Sequence, residues 1–255
     1  MTVPYKIVVP ARMASTRLPN KPLADIHGKP MVVRVAERVI STQASEIVVA
    51  TDHTEIEAVC RKHGIDVVLT SPDCPSGTDR IAEVAIAKNW GDDQIIVNVQ
   101  GDEPLIDPEL VDRVAQRLAS TDASIATCGS VFDSWEDFCN PNMVKIVLDA
   151  SGHAIYFSRA PVPYPRDLMA QTARGPLPGN CQPIRHIGMY AYRVAFLRSY
   201  VGWQQSPLDS TESLEQLRAL YHGHKISVML VDETPAPGVD TIEDLERVRR
   251  LWRAS

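Results

Sequence analysis

Over its first 130 residues the chain alternates short β-branched runs with amphipathic ones. Ile7–Val9 reads as a strand, and a polar loop separates it from a helical pattern around Met31–Ile40. There Met31, Val32, Val35, Ala36, Val39 and Ile40 recur at the spacing that lines one helix face. Ile47–Ala50 and Val67–Leu69 are further strands, and Thr54 and Gly64 are placed to cap and to end a helix between them. A helix is expected around Asp79–Asn89. Ile95–Val99 is nearly all apolar, as in the middle of a parallel sheet. Asp107 and Pro108 supply an N-cap and a first helical residue, and Ser124–Cys128 returns to strand. This order predicts an α/β fold, a doubly wound, mostly parallel sheet with helices on both faces.

The pattern changes in the second half. Val144–Leu148 and Ala154–Phe157 flank Asp149-Ala150-Ser151-Gly152, which reads as a hairpin turn. Pro161–Pro183 holds six prolines and no periodicity, a long loop for a compact domain and therefore functional or mobile. Ile187–Tyr192 is a strand, and Pro207–His222 contains a helix stopped by Gly223. Thr241 and Asp244 form a capping box for a last helix. One core, interrupted by a β-rich insertion that covers the site, is the expected organisation.

Composition narrows the function classes. The 255 residues, 44% of them hydrophobic, suffice for a sizeable core. No apolar run is long enough to span a membrane, and the N-terminus lacks a signal-peptide layout, so a cytoplasmic chain is expected. Cys60, Cys74, Cys128, Cys139 and Cys181 show no paired spacing and read as reduced thiols, not ligands. A formal net charge of −6 gives no broad nucleic-acid footprint, so any anion must be held by a local basic cluster.

Such a cluster follows the first strand. Arg12, Arg17 and Lys21 lie within ten positions, with no acid among them, where α/β sheets bind ligands. Arg forks and a compact Lys charge both suit phosphate oxygens, although a solvated basic loop would read the same. Neither a Walker loop nor a G-x-G-x-x-G run occurs. Gln100-Gly101-Asp102-Glu103-Pro104 places an acid just past a buried strand, as Mg²⁺ requires, with Gly101 read as allowing a sharp turn. Asp240, after Gly238-Val239, is a second candidate, although an acid near a helix start is also ordinary helix-dipole chemistry. Ser76-Gly77-Thr78-Asp79-Arg80 opens a helix that Thr78 could cap, and its backbone could read a base edge. Arg159 and the Arg185-His186 pair end or lead strands and could meet an anionic, hydroxyl-rich molecule.

Taken in order, eight segments resemble the 3-deoxy-manno-octulosonate cytidylyltransferases over nearly the whole chain. They are Ile7–Pro30, Val49–His53, Ser76–Arg80, Val97–Pro104, Phe157–Ala160, Arg185–Gly188, Leu214–Arg218 and Gly238–Arg247. Asp79 stands where that family more usually has Glu, and residues 167–181 match no family pattern. The resemblance implies a nucleotidyltransferase-type fold in one domain over 1–255. Within it, 1–130 would be the nucleotide-binding half, 131–235 the sugar-binding and dimerisation part, and 236–255 the metal-site loop and helix. It implies transfer of CMP from CTP to 3-deoxy-manno-octulosonate (Kdo) with Mg²⁺, in a homodimer serving lipopolysaccharide synthesis, without nucleic-acid or membrane partners.

Carried over by position, Arg12, Lys21, Asp102 and Asp240 would be catalytic, and Asp102 and Asp240 would hold the metal. Arg12, Arg17 and Lys21 would hold the triphosphate, and Ala11, Ala50, Thr51, Ser76, Gly77 and Arg80 would complete the nucleotide site. Gln100, Arg159, His186, Tyr190, Glu215 and Gln216 would line the sugar-acid pocket. Transfer to another acid, such as sialic acid or an amino analogue of Kdo, and a non-catalytic nucleotide-binding regulator are the alternative expectations.

Overall fold

A computed structural model of the chain describes residues 3–14, 17–169, 177, 182–232 and 235–252. Cys181 and most of 170–181 lie outside the described residues, so the expectations for Cys181 and the proline-rich segment reach only its ends. Among the described residues no helix is long and apolar enough to cross a membrane.

The elements begin with β1 (Tyr5–Ala11), β2 (Asp25–Ile26), β3 (Lys29–Pro30), α1 (Met31–Arg38), β4 (Glu46–Thr51) and α2 (Thr54–Lys62). Next come β5 (Asp66–Leu69), α3 (Gly77–Ala87), β6 (Ile95–Asn98), α4 (Pro108–Ala119), β7 (Ile125–Val131) and α5 (Trp135–Cys139). The chain continues with β8 (Lys145–Leu148), β9 (Ala154–Ser158), α6 (Arg166–Met169), β10 (Ile184–Arg193) and α7 (Val194–Tyr200). It ends with α8 (Pro207–Glu212), α9 (Gln216–Tyr221), β11 (Ile226–Leu230) and α10 (Ile242–Trp252).

Two compact units form. The first comprises Met1–Ala119, Met189–Gly202 and Pro235–Ser255. In it β1 pairs in parallel with β4 on one side and β6 on the other, and β5 extends the sheet in parallel beyond β4. Residues 190–193 of β10 run antiparallel to β6. Ile7, Val8 and Val9 are wholly buried, as expected of a central strand covered on both faces. The mixed α/β fold with a mostly parallel sheet is therefore as expected. A smaller cluster of Leu18, Ile26, Met31, Val239, Leu245 and Val248 packs the loop after β1 against the start of α10. At about 25 cal/mol per Å², burying these side chains stabilises that junction and fixes the segments carrying Lys21 and Asp240.

The second unit comprises Ser120–Gly188 and Trp203–Thr234. Here β7 and β11 are parallel, β8 and β9 form the expected hairpin, and residues 184–185 of β10 lie antiparallel to β8. Gly152 takes φ +77 in the turn, which a residue with a Cβ adopts only at a cost.

Several boundaries differ from the sequence reading. α1 ends at Arg38, and Val39–Ser41 tightens into a 3₁₀ turn. His53, not Thr54, caps α2, its Nδ1 accepting from the Glu55 N–H at 3.3 Å. Ser76, not Thr78, caps α3, its Oγ accepting from the Asp79 N–H at 3.2 Å, while Thr78 is buried near the Tyr192 hydroxyl. The Pro207–His222 stretch is two helices, because Ser213 adopts φ +52 between them. The caps at Asp107 and at Thr241 with Asp244 are as expected.

Candidate active site

In the first unit three segments converge beyond the C-terminal end of β1. Gly101 makes the first approach possible: a Cβ there would stand 2.7 Å from the Pro10 carbonyl oxygen. The chain does turn sharply here, the Glu103 N–H donating to the Gln100 carbonyl at 3.1 Å, and the close approach to Pro10 is a further need for glycine. A Cβ at Gly238 would come within 3.2 Å of the Asp102 carbonyl oxygen, and that oxygen accepts the Val239 N–H at 2.8 Å. Asp102 and Asp240 are thus held by their own backbones before either side chain acts.

Their carboxylates meet on one cation. Lys21 Nζ donates to Asp102 Oδ2 at 2.6 Å and to Asp240 Oδ1 at 3.2 Å. Burial by itself would depress the Lys21 pKa, but the hydrogen bonds and charges of Asp102 and Asp240 outweigh it and raise it. Arg17 Nη2 lies 3.2 Å from Asp240 Oδ1 but is two-thirds exposed, so that pair is screened and weak. Arg12 is exposed and makes no ion pair among the described residues, whereas Ala11 is buried at the strand end. Glu103 keeps some accessible surface, yet burial, then the charge of Asp102, push its carboxyl up to about 8. At neutral pH it adds little negative charge beside Asp102.

Two carboxylates this close, with basic side chains beside them, fit what Mg²⁺ takes from a protein: one or two carboxylates, the remaining positions left to water and phosphate. Among the described residues no group of three or more acids, histidines or cysteines forms a closed cage.

The base-reading candidates occupy the ends of β4 and the start of α3. Ala50 and Thr51 are buried, and the Thr51 carbonyl accepts from both the N–H and the hydroxyl of Thr70. Gly77 has open space around its Cβ position. Arg80 is fully buried, with Nη2 2.7 Å from Asp52 Oδ2 and Nη1 donating to Thr70 Oγ1. Its guanidinium is committed behind the loop, tying α3 to the ends of β4 and β5. Of the sugar-acid candidates in this unit, Tyr190 is buried and stacks on Tyr192 at 5.7 Å. Gln100 is half-buried, and its amide makes no hydrogen bond to another described residue.

The remaining sugar-acid candidates belong to the second unit. His186 Nε2 lies 3.1 Å from Thr127 Oγ1, and its ring meets Phe157 edge-on at 5.1 Å. The residue keeps some accessible surface, but burial of the ring pushes its imidazole down to about 3, so it is neutral. Gln216 is 8% exposed, and its amide makes no hydrogen bond to another described residue. Its amide atoms are not fully buried, so a ligand could reach them. Glu215 precedes it at the start of α9. Arg159 Nε donates to the Glu212 carbonyl at 2.7 Å, Nη1 to the Pro141 carbonyl at 3.1 Å and Nη2 to the Ser213 carbonyl at 3.3 Å. Sequence reasoning missed Glu212, whose carboxylate organises this corner and which no local motif marks.

The cytidylyltransferase family model matches residues 6–226. The 3-deoxy-manno-octulosonate cytidylyltransferase of Neisseria gonorrhoeae (strain NCCP11945) is 53% identical over 98% of both chains. This chain belongs to the 3-deoxy-manno-octulosonate cytidylyltransferase family. The protein of that name from Neisseria meningitidis serogroup A (strain Z2491) is 51% identical over the same share. A CMP:2-keto-3-deoxy-manno-octonic acid synthetase solved in complex with CTP superposes with a TM-score of 0.87, at 38% identity and 99% coverage of each chain.

Proposed function

We infer that the chain carries out the reaction of its family, transfer of CMP from CTP to the C2 hydroxyl of Kdo, giving CMP-Kdo and pyrophosphate. The observation that carries this reading is the meeting of Lys21, Asp102 and Asp240 at the end of β1. These residues are 81 and 219 positions apart in the chain, so a fold is needed to assemble them.

In this reading Arg12, Arg17 and Lys21 bind the triphosphate, and Lys21 exchanges carboxylates for phosphate oxygens. Asp102 and Asp240 hold Mg²⁺. When bound, that ion neutralises phosphate oxygens and lowers the pKa of a coordinated hydroxyl. Ala50, Thr51, Ser76 and Gly77 present backbone groups to cytosine, with Arg80 holding their loops in place. Gln100, Tyr190, His186, Glu215 and Gln216 meet the hydroxyls and carboxylate of the sugar acid. The neutral His186 ring is a hydrogen-bonding group, not a cation. In-line attack of the oriented hydroxyl on the α-phosphorus, its proton passing to solvent, then forms the new P–O bond as the bond to pyrophosphate breaks, and catalysis consists of positioning and charge stabilisation.

A homodimer in the cytoplasm, supplying lipopolysaccharide inner-core synthesis, completes the proposal. Pyrophosphate release on mixing the protein with CTP, Mg²⁺ and Kdo tests the reading. Release with sialic acid in place of Kdo would move it to another acid.

A further inference from the structure

The second unit contains a partly buried polar network that the reaction as described does not use. Lys145 on β8 is fully buried, and Nζ donates to the Asn140 carbonyl at 2.7 Å and the Arg159 carbonyl at 2.9 Å. No carboxylate of the described residues pairs with it, and burial lowers its pKa. The Glu212 carboxylate accepts from Ser158 Oγ at 2.7 Å and from the Arg159 N–H at 2.9 Å. The Arg159 guanidinium in turn grips the carbonyls of Pro141, Glu212 and Ser213.

The bonds from Ser158 and from the Arg159 N–H, Nε and Nη2 end on Glu212 and Ser213, at the turn between α8 and α9, while Lys145 and Arg159 Nη1 tie Arg159 to the Asn140–Pro141 segment. That turn needs holding, because Ser213 sits at φ +52, a conformation unfavourable for a residue with a Cβ. After Leu214 come Glu215, at the N-terminus of α9, and Gln216, a largely buried residue whose amide atoms keep some accessible surface.

We propose that Lys145, Arg159 and Glu212 are positioning residues for the sugar acid: they lock the Ser213 turn so that Glu215 and Gln216 are presented in one geometry. Arg159 acts through the backbone, its donors being spent on carbonyls. Two cations and one carboxylate share the network, so its net field also favours an anionic ligand nearby. The inference rests on the reading that Glu215 and Gln216 contact the sugar acid.

Arginine and lysine separate this role from direct charge recognition. Only a guanidinium fork reaches three carbonyls at once, whereas an ammonium keeps the charge but not the fork. Arg159→Lys and Arg159→Met are therefore expected to raise the KM for Kdo to a similar degree, about tenfold or more, with the KM for CTP within about twofold of wild type, since binding contacts for one substrate alone are lost. Ser158→Ala, a near-isosteric change that removes one bond to Glu212, keeps the test usable if the arginine variants do not fold. It is expected to raise the KM for Kdo about two- to fivefold, one net hydrogen bond contributing about 1 kcal/mol or less through a flexible support.

Titrations of each substrate, with the other saturating and well below each variant's Tm, give the readout. Recovery of most of the Kdo affinity by Arg159→Lys would overturn the proposal in favour of a direct charge contact. So would an unchanged KM for Kdo in Ser158→Ala. Absence of Kdo turnover by the wild-type protein would instead refute the functional reading beneath it.

Discussion

Lys21 Nζ stands 2.6 Å from Asp102 Oδ2, bringing together residues 81 positions apart. The same ammonium reaches Asp240, so one lysine relieves the repulsion between the two acids proposed to hold Mg²⁺. The basic loop reads from sequence as free of acids because its acids come from elsewhere in the chain.

Asp102→Asn keeps the size of the side chain and removes one charge. A fall in kcat of roughly two orders of magnitude is expected, the scale of losing one catalytic electrostatic contact. Stability should change by less than about 1 kcal/mol, because the pair is partly exposed. CTP affinity measured without metal should change little. Normal turnover at limiting Mg²⁺ would remove Asp102 from the metal site.

Lys21→Ala should raise the KM for CTP about tenfold or more, since a hydrogen bond to a charged group contributes about 1.5–3 kcal/mol. It also removes the cation that competes for Asp102 and Asp240. Calorimetric titration of Mg²⁺ into the nucleotide-free variant should therefore show tighter binding than in wild type. Unchanged CTP kinetics would contradict the phosphate role.

How much of this was legible depended on how local the cause was. The alternation of Ile7–Val9, Ile47–Ala50 and Ile95–Val99 with helical runs announced the parallel sheet, because each strand carries its own apolar pattern. Gly64 and Gly223 ended helices as read, both at positive φ. The turn at Gly101 is as expected, but the close approach of Pro10, remote in sequence, is not visible in the local pattern. Caps slipped by one or two residues at His53 and Ser76, where neighbouring polar residues compete for the same N–H groups. Glu212 was invisible because its partners, Ser158 and Arg159, are remote in sequence.

Asp209 is 2% exposed, caps its own helix with Ser206 and receives Arg218 Nη2 at 2.9 Å and Nε at 3.0 Å. Burial works against its ionisation, but Ser206 and Arg218 outweigh that and hold its carboxyl below the usual range. A depressed folded-state pKa gives stability that is present above the unfolded value of about 3.9 and lost as pH falls through the folded one. Urea unfolding at pH 6 and pH 3 should show a larger acid loss for wild type than for Asp209→Asn. At pH 6 the variant should be less stable by about 3 kcal/mol, the cost of breaking a buried pair. Equal acid losses would contradict the assignment.

His186 gives an acid dependence at higher pH. Its folded-state pKa lies at about 3, below the unfolded value of about 6.5. Below pH 6.5 the unfolded chain takes up the proton and the folded chain does not. Stability therefore falls with acid down to the folded value, by up to about 1.4 kcal/mol per pH unit. Replacement by glutamine, which cannot titrate, should flatten the loss between pH 7.5 and 5.5. Identical slopes in wild type and His186→Gln would show that the ring is not buried neutral.

The most direct test of the whole account is product formation. The protein is incubated with CTP, Mg²⁺ and Kdo, and with sialic acid in a parallel reaction, and CMP-sugar and pyrophosphate are both measured. The account predicts CMP-Kdo and pyrophosphate in equal amounts, dependent on Mg²⁺ and on Kdo, with little product from sialic acid. No CMP-Kdo above a protein-free blank, or preferential conversion of sialic acid, would contradict it.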